Sequence, residues 1–152
     1  MQRHDGIRLR QMREGERNLV RAMVRALYAE SGWAFDAAAE RGLDAALAGH
    51  PNVRVWMIEA GGEVCGYVVL TLGFSVMYGG VDTFLDEFFI VPDFRGGGLG
   101  GRALALVADA ARELGAVFIH LEVNTDARAR NLYRRCGFEE HAQALMSLDL
   151  RN

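Results

Sequence analysis

The spacing of apolar positions changes several times along the chain, and each change marks an element. Ile7 to Met12 alternates apolar and polar residues, the period of a half-buried strand. From Glu14 to Ser31 the residues Leu19, Val20, Met23, Val24, Leu27 and Tyr28 recur at helical spacing, and Ser31-Gly32 ends the run. A second, alanine-rich helix is predicted from about Asp36 to Leu47, with Asp36 as N-cap and Gly49-His50-Pro51 as its stop. Val53 to Ala60 and Glu63 to Phe74 read as strands joined through Gly61-Gly62, a hairpin turn. Met77 to Gly80 then leads to a strand from Thr83 to Val91. After a glycine cluster a helix runs to about Gly115, with Leu104, Val107, Ala108, Ala111 and Leu114 on one face. Ala116 to Val123 is dense in apolar residues and is expected to be a central strand covered on both faces. Asp126 to Arg135 reads as a short helix capped at Gly137, and Phe138 opens a last strand region that returns over Leu145 to Leu150. This order predicts an α/β (mixed α+β) fold, a sheet flanked by helices without regular doubly wound alternation.

Composition narrows the picture. At 152 residues the chain has the size of a single domain, and 51% hydrophobic content suffices for one core without a disordered segment. A formal net charge of -3 and the lack of a long basic run argue against nucleic acid or an anionic membrane as partner. No run approaches the roughly 20 apolar residues of a membrane span, and the first residues hold no apolar core of signal-peptide length. A soluble, cytoplasmic protein is therefore expected. Cys65 and Cys136 suggest neither a disulfide framework nor a metal site, and both are expected to be buried thiols.

The chemistry concentrates between Asp86 and Arg102, DEFFIVPDFRGGGLGGR. A strand that delivers glycines to the mouth of a helix leaves backbone N–H groups pointing outward with the positive end of the helix dipole behind them, an anion site suited to phosphate. Gly96, Gly98 and Gly101 satisfy G-x-G-x-x-G, and Glu122 lies about 20 residues on, as in a dinucleotide-binding unit. Against that reading, such a unit normally starts its domain, the element order differs, and Pro92-Asp93-Phe94-Arg95 stands where a tight turn is needed.

The same residues fit Arg95-x-x-Gly98-x-Gly100, and here the chain resembles the GCN5-related N-acetyltransferase (GNAT) family, whose acetyl-coenzyme A pyrophosphate loop has the pattern Q/R-x-x-G-x-G/A. LDEFFIVPDFRGGGLG looks most like the diamine (spermidine/spermine) branch, and Asn131 to Phe138, NLYRRCGF, resembles the family's L-Y-x-x-x-G-F segment. The resemblance covers about Val53 to Phe138. It implies a GNAT fold: a mostly antiparallel sheet of six to seven strands with about four helices, splayed between the strands at 83–91 and 116–123. It also implies acetyl-CoA as cosubstrate, a small-molecule amine as acceptor and a possible homodimer.

Residue by residue, the resemblance gives the pyrophosphate to the backbone of Gly96, Gly97, Gly98, Leu99, Gly100 and Gly101, with charge from Arg95. The pantetheine arm falls to the backbone of Phe88, Phe89 and Ile90, whose side chains read as core. Tyr133 takes the place of the general acid, and a phenol can protonate a thiolate. Asp86 aligns with the branch's glutamate and Glu87 with its aspartate. Strand alternation would send them to opposite faces, so one at most serves as base, unless no dedicated base exists. Asp126 stands where an asparagine often contacts the cofactor. His120 reads as a satisfied core histidine, and Trp33, Phe35 and Tyr78 as possible pocket aromatics. Direct attack in a ternary complex is favoured, because neither cysteine has an activating setting. The competing functions are a non-catalytic acyl-CoA-binding module and an NAD-dependent oxidoreductase domain.

Overall fold

A computed structural model describes residues 6–124 and 127–151. They form two compact units, one ending at Glu122 and one beginning at Val123. Among the described residues the larger unit holds strands β1 (Arg8–Arg10), β2 (Val53–Ala60), β3 (Glu63–Ser75), β4 (Gly80–Ile90) and β5 (Ala116–His120) and helices α1 (Arg17–Ser31), α2 (Ala37–Leu47) and α3 (Leu99–Glu113). The smaller holds α4 (Ala127–Arg135).

The five strands lie in chain order, β1-β2-β3-β4-β5; the first three neighbour pairs are antiparallel and β4–β5 is parallel, joined across α3. Local chemistry explains most boundaries. Gly61 and Gly62 both have positive φ (58° and 84°), the conformation of the tight turn that matches strand twist. Asp36 accepts from the Ala39 amide at 2.9 Å, satisfying one of the free donors that open α2. On one sheet face Val20, Met23 and Val24 of α1 and Leu43 of α2 pack over Met57, Tyr67, Val69 and Phe89. Each such buried aliphatic side chain contributes about 1.5–3 kcal/mol. Leu99 and Ala103 of α3 join a second cluster with Ile58, Cys65, Ile90 and Phe94.

β1 is held by charge. The Glu59 carboxylate, nearly inaccessible, accepts from Arg10 at 2.5 Å and from Arg8 at 2.8 Å, and Arg10 also holds Glu16 at 2.8 Å. The bond from Arg10, with the Arg13 amide, lowers the Glu16 carboxyl from 4.5 to about 2.

Three expectations are corrected. The sheet has five strands among the described residues, not six or seven, because residues 138–151 form no strand; Leu145, Met146, Leu148 and Leu150 are exposed. Alternation supplies a face, but a strand also needs a neighbour to complete its ladder. Among the described residues β5 ends at His120 and lies at the sheet edge with Val117 and Phe118 exposed, not in a covered centre. Cys136 is exposed, while Cys65 is buried and desolvation pushes its thiol up to about 11.

Candidate active site

The glycine loop follows β4 through one turn of 3-10 helix, Pro92–Phe94. Buried Phe94 anchors the turn, and Gly96 (φ 88°) and Gly98 (φ 77°) take the left-handed conformation that residues with a Cβ avoid. A Cβ at either would meet nothing within 4 Å, so conformation rather than space demands glycine there. Gly98 is the N-cap of α3, and Arg102 is the first amide to donate back to its carbonyl, at 3.3 Å. The amides of Leu99, Gly100 and Gly101 thus have no carbonyl one turn behind them. Arg95 is committed differently from expectation: Nε donates to the Ile90 carbonyl at 2.7 Å, Nη2 to Glu30 at 2.9 Å, and its guanidinium lies over the Phe89 ring. It clasps the loop to β4 and α1.

β4 pairs with β5 only from Val81 to Phe84, the last partner being His120. From Leu85 to Ile90 that side of β4 has no strand partner among the described residues, so the sheet opens there. On the other side, Val69 pairs with Glu87 and Leu70 with Leu85, which leaves Asp86 as an extra, bulged residue. Phe89 and Ile90 are buried and Phe88 is partly buried, core side chains as expected.

The bulge corrects the expectation that alternation parts the two acids. Glu87 turns towards α1, where its carboxylate accepts from the Tyr67 hydroxyl at 2.7 Å and the Tyr28 hydroxyl at 2.9 Å. The charge of Asp86 raises the pKa of Glu87, Tyr28 and Tyr67 alike, so both acids act on one neighbourhood. Burial raises the Glu87 carboxyl, the two phenols pull it back, and the net shift is upward. Asp86 keeps solvent access, yet the surrounding protein also raises its carboxyl. Each Glu87 oxygen accepts from one phenol, whereas Asp86 is exposed. Tyr28 and Tyr67 were missed in the sequence. A tyrosine inside the aliphatic run of β3 was the signal, since a buried phenol needs a partner. Trp33 and Phe35 pack edge-on against Tyr28, at 5.6 and 5.4 Å between ring centroids.

In the smaller unit, α4 ends in a Schellman cap. Gly137 (φ 93°) donates to the Arg134 carbonyl at 3.0 Å and Phe138 to that of Tyr133 at 3.0 Å, with the Tyr133 and Phe138 rings edge-to-face at 5.6 Å. The spacing Y-x-x-x-G-F is what this cap requires. Burial raises the Tyr133 phenol, and its hydroxyl makes no hydrogen bond among the described residues. Arg130 and Arg134 pair with Glu140. Asp126 lies outside the described residues.

The acetyltransferase (GNAT) family model matches residues 20–138. YhfO of Bacillus subtilis (strain 168), an uncharacterized N-acetyltransferase, is 35% identical over 103 residues, 67% of this chain and 68% of that protein. Among solved structures, integron cassette protein HFX_CASS3 from the mobile metagenome of Cole Harbour Salt Marsh is 36% identical, with a TM-score of 0.79 over 95% of this chain and 91% of that one. The aminoglycoside N-acetyltransferase AAC(6')-Iy, in complex with CoA, shares the fold at 16% identity, with a TM-score of 0.75 over 95% of each chain.

Proposed function

The chain belongs to the acetyltransferase (GNAT) family of N-acetyltransferases, and from that premise we propose that it transfers the acetyl group of acetyl-CoA to a primary amine of a small molecule, by direct attack in a ternary complex. The observation that carries this reading is the composition of β4: a bulged, exposed acid, then a half with no strand partner on its β5 side among the described residues, then a glycine loop whose amides open α3. The amides of Leu99 to Gly101 suit a pyrophosphate, and the backbone of Phe88 to Ile90 offers the free edge that an amide-bearing arm can pair with.

Asp86 takes the proton that the acceptor ammonium must lose before its nitrogen can attack. Its short side chain is suited to do so through a water, and its raised pKa brings it closer to the working pH of a base. Glu87, filled by two phenols, holds the wall beside it. The amine nitrogen bonds to the acetyl carbon, the carbon–sulfur bond breaks, the nitrogen sheds a second proton to solvent as the amide forms, and the thiolate takes up one from a donor that solvent then reprotonates. We assign that proton to Tyr133, supported by the NLYRRCGF resemblance and by burial that keeps the phenol protonated. Thiol release over an amine panel tests the roles: both Asp86→Ala and Tyr133→Phe are expected to lose turnover, and unchanged rates in both would overturn them. Calorimetry in which NAD bound in preference to acetyl-CoA would sink the whole reading.

A further inference from the structure

Paired residues on neighbouring strands share a sheet face. Asp82 and Phe84 pair across β3 with Gly73 and Thr71, and Glu87 with Val69, so the bulge at Asp86 keeps Asp82, Phe84 and Glu87 on one face of β4. Phe118 and His120 pair with Asp82 and Phe84 and lie on that face too. Their rings stand side by side, centroids 5.1 Å apart and planes within 16°. Tyr78, from the turn before β4, lies across both, 4.0 Å from Phe118 and 5.7 Å from His120. The turn is set by the Tyr78 amide donating to Ser75 Oγ at 3.1 Å and by Gly79 at φ 72°. His120 Nε2 lies 2.8 Å from Asp82 Oδ1, within ion-pair distance, and that oxygen makes no hydrogen bond among the described residues. Tyr78 and Phe118 remain more than a third exposed, at 36% and 38%.

We propose that this wall of Tyr78, Phe118 and His120, with Asp82 beside the imidazole, is the acceptor-recognition surface, and that the acceptor is a primary amine carried on a planar ring. The proposal rests on the acetyltransferase reading and names its substrate class. The wall begins where the sheet opens. Phe84, which pairs with His120, is two residues, roughly 7 Å, before Asp86, so a ring against the wall reaches that carboxylate through a short alkyl arm and the relaying water. Asp86 and Glu87 make the intervening surface attractive to an ammonium. A linear diamine would need a second carboxylate at the far end, where Tyr78 and Phe118 expose ring surface and Asp82 lies within ion-pair distance of His120. A polyhydroxylated amino sugar would need hydrogen-bond partners where this wall offers ring surface.

Steady-state kinetics with acetyl-CoA and phenethylamine, putrescine or kanamycin test this on wild type, Tyr78→Ala and Phe118→Leu. Wild type is expected to have its highest kcat/KM with phenethylamine. Each variant should raise the KM for phenethylamine about tenfold, with little change in kcat, and so narrow its preference over putrescine. Asp82→Asn, which removes the carboxylate charge beside the imidazole, should act in the same direction. Preference of wild type for putrescine or kanamycin, or variants that shift all three amines equally, would overturn the proposal while the acetyltransferase reading stands. Absence of CoA release with every amine would overturn both. Calorimetric acetyl-CoA affinity should be the same in wild type and the two ring variants; its loss would show that the rings support the fold rather than the acceptor.

Discussion

The acidic bulge and the glycine loop lie at either end of the second half of β4, and they are built on different principles. At the loop, side chains are nearly absent: Gly96 and Gly98 shape the chain, Arg95 is spent clasping it, and what faces outward is backbone. At the bulge the backbone irregularity only sets the stage, and the proposed chemistry belongs to one carboxylate whose neighbour is held by two phenols. A backbone site is damaged by any change that reshapes the chain. A carboxylate site is damaged by a change of a single atom.

That contrast can be tested by separating turnover from binding. Asp86→Asn should lower kcat/KM for the amine by roughly a hundredfold or more while calorimetric acetyl-CoA affinity is retained. The base works ionised, and burial raises the Asp86 carboxyl, so wild-type kcat/KM should fall on acidification sooner than an ordinary aspartate would cause. The variant should lose that limb; its persistence would move the base elsewhere. Gly98→Val should do the reverse, weakening acetyl-CoA binding about tenfold, since a left-handed residue with a Cβ costs roughly 1–2 kcal/mol. Gly97, which is not among the positive-φ glycines, should tolerate alanine better. Equal damage from Gly97→Ala and Gly98→Val would undo the conformational argument.

A third measurement sharpens the bulge side. Tyr67→Phe removes a hydrogen bond to a buried carboxylate and should destabilise the protein by about 1.5–3 kcal/mol in urea unfolding. It should also raise the Glu87 carboxyl further, because that bond lowers it. A smaller effect belongs to β1, remote from both regions. Arg10 lowers the Glu16 carboxyl from 4.5 to about 2, so its stabilisation is complete above the ordinary value and fades as pH falls towards the lowered one. Melting temperatures of wild type should drop over that window, and Arg10→Met should flatten the drop.

Legibility followed the range of the interactions involved. The Asp36 cap, the Gly61-Gly62 turn, the glycines that open α3 and the Y-x-x-x-G-F cap of α4 all bond within a few residues, so each could be read from a short window. The strand carrying Asp86 and Glu87 was legible for the same reason, and so was the family resemblance carried by its motif. Which acid is occupied was not, because the occupants come from Tyr28 and Tyr67, 59 and 20 residues away in sequence.

By itself, then, the sequence determined the order of elements and the glycine loop that opens α3, because periodicity and backbone preference are local properties of the chain. Tertiary structure alone decided that Asp86 bulges while Glu87 is capped by phenols, that β5 is an edge, that residues 138–151 form no strand, and that Tyr78, Phe118 and His120 meet as one wall. Each of those depends on a partner brought from elsewhere in the chain, and local pattern does not encode the register in which the partner arrives.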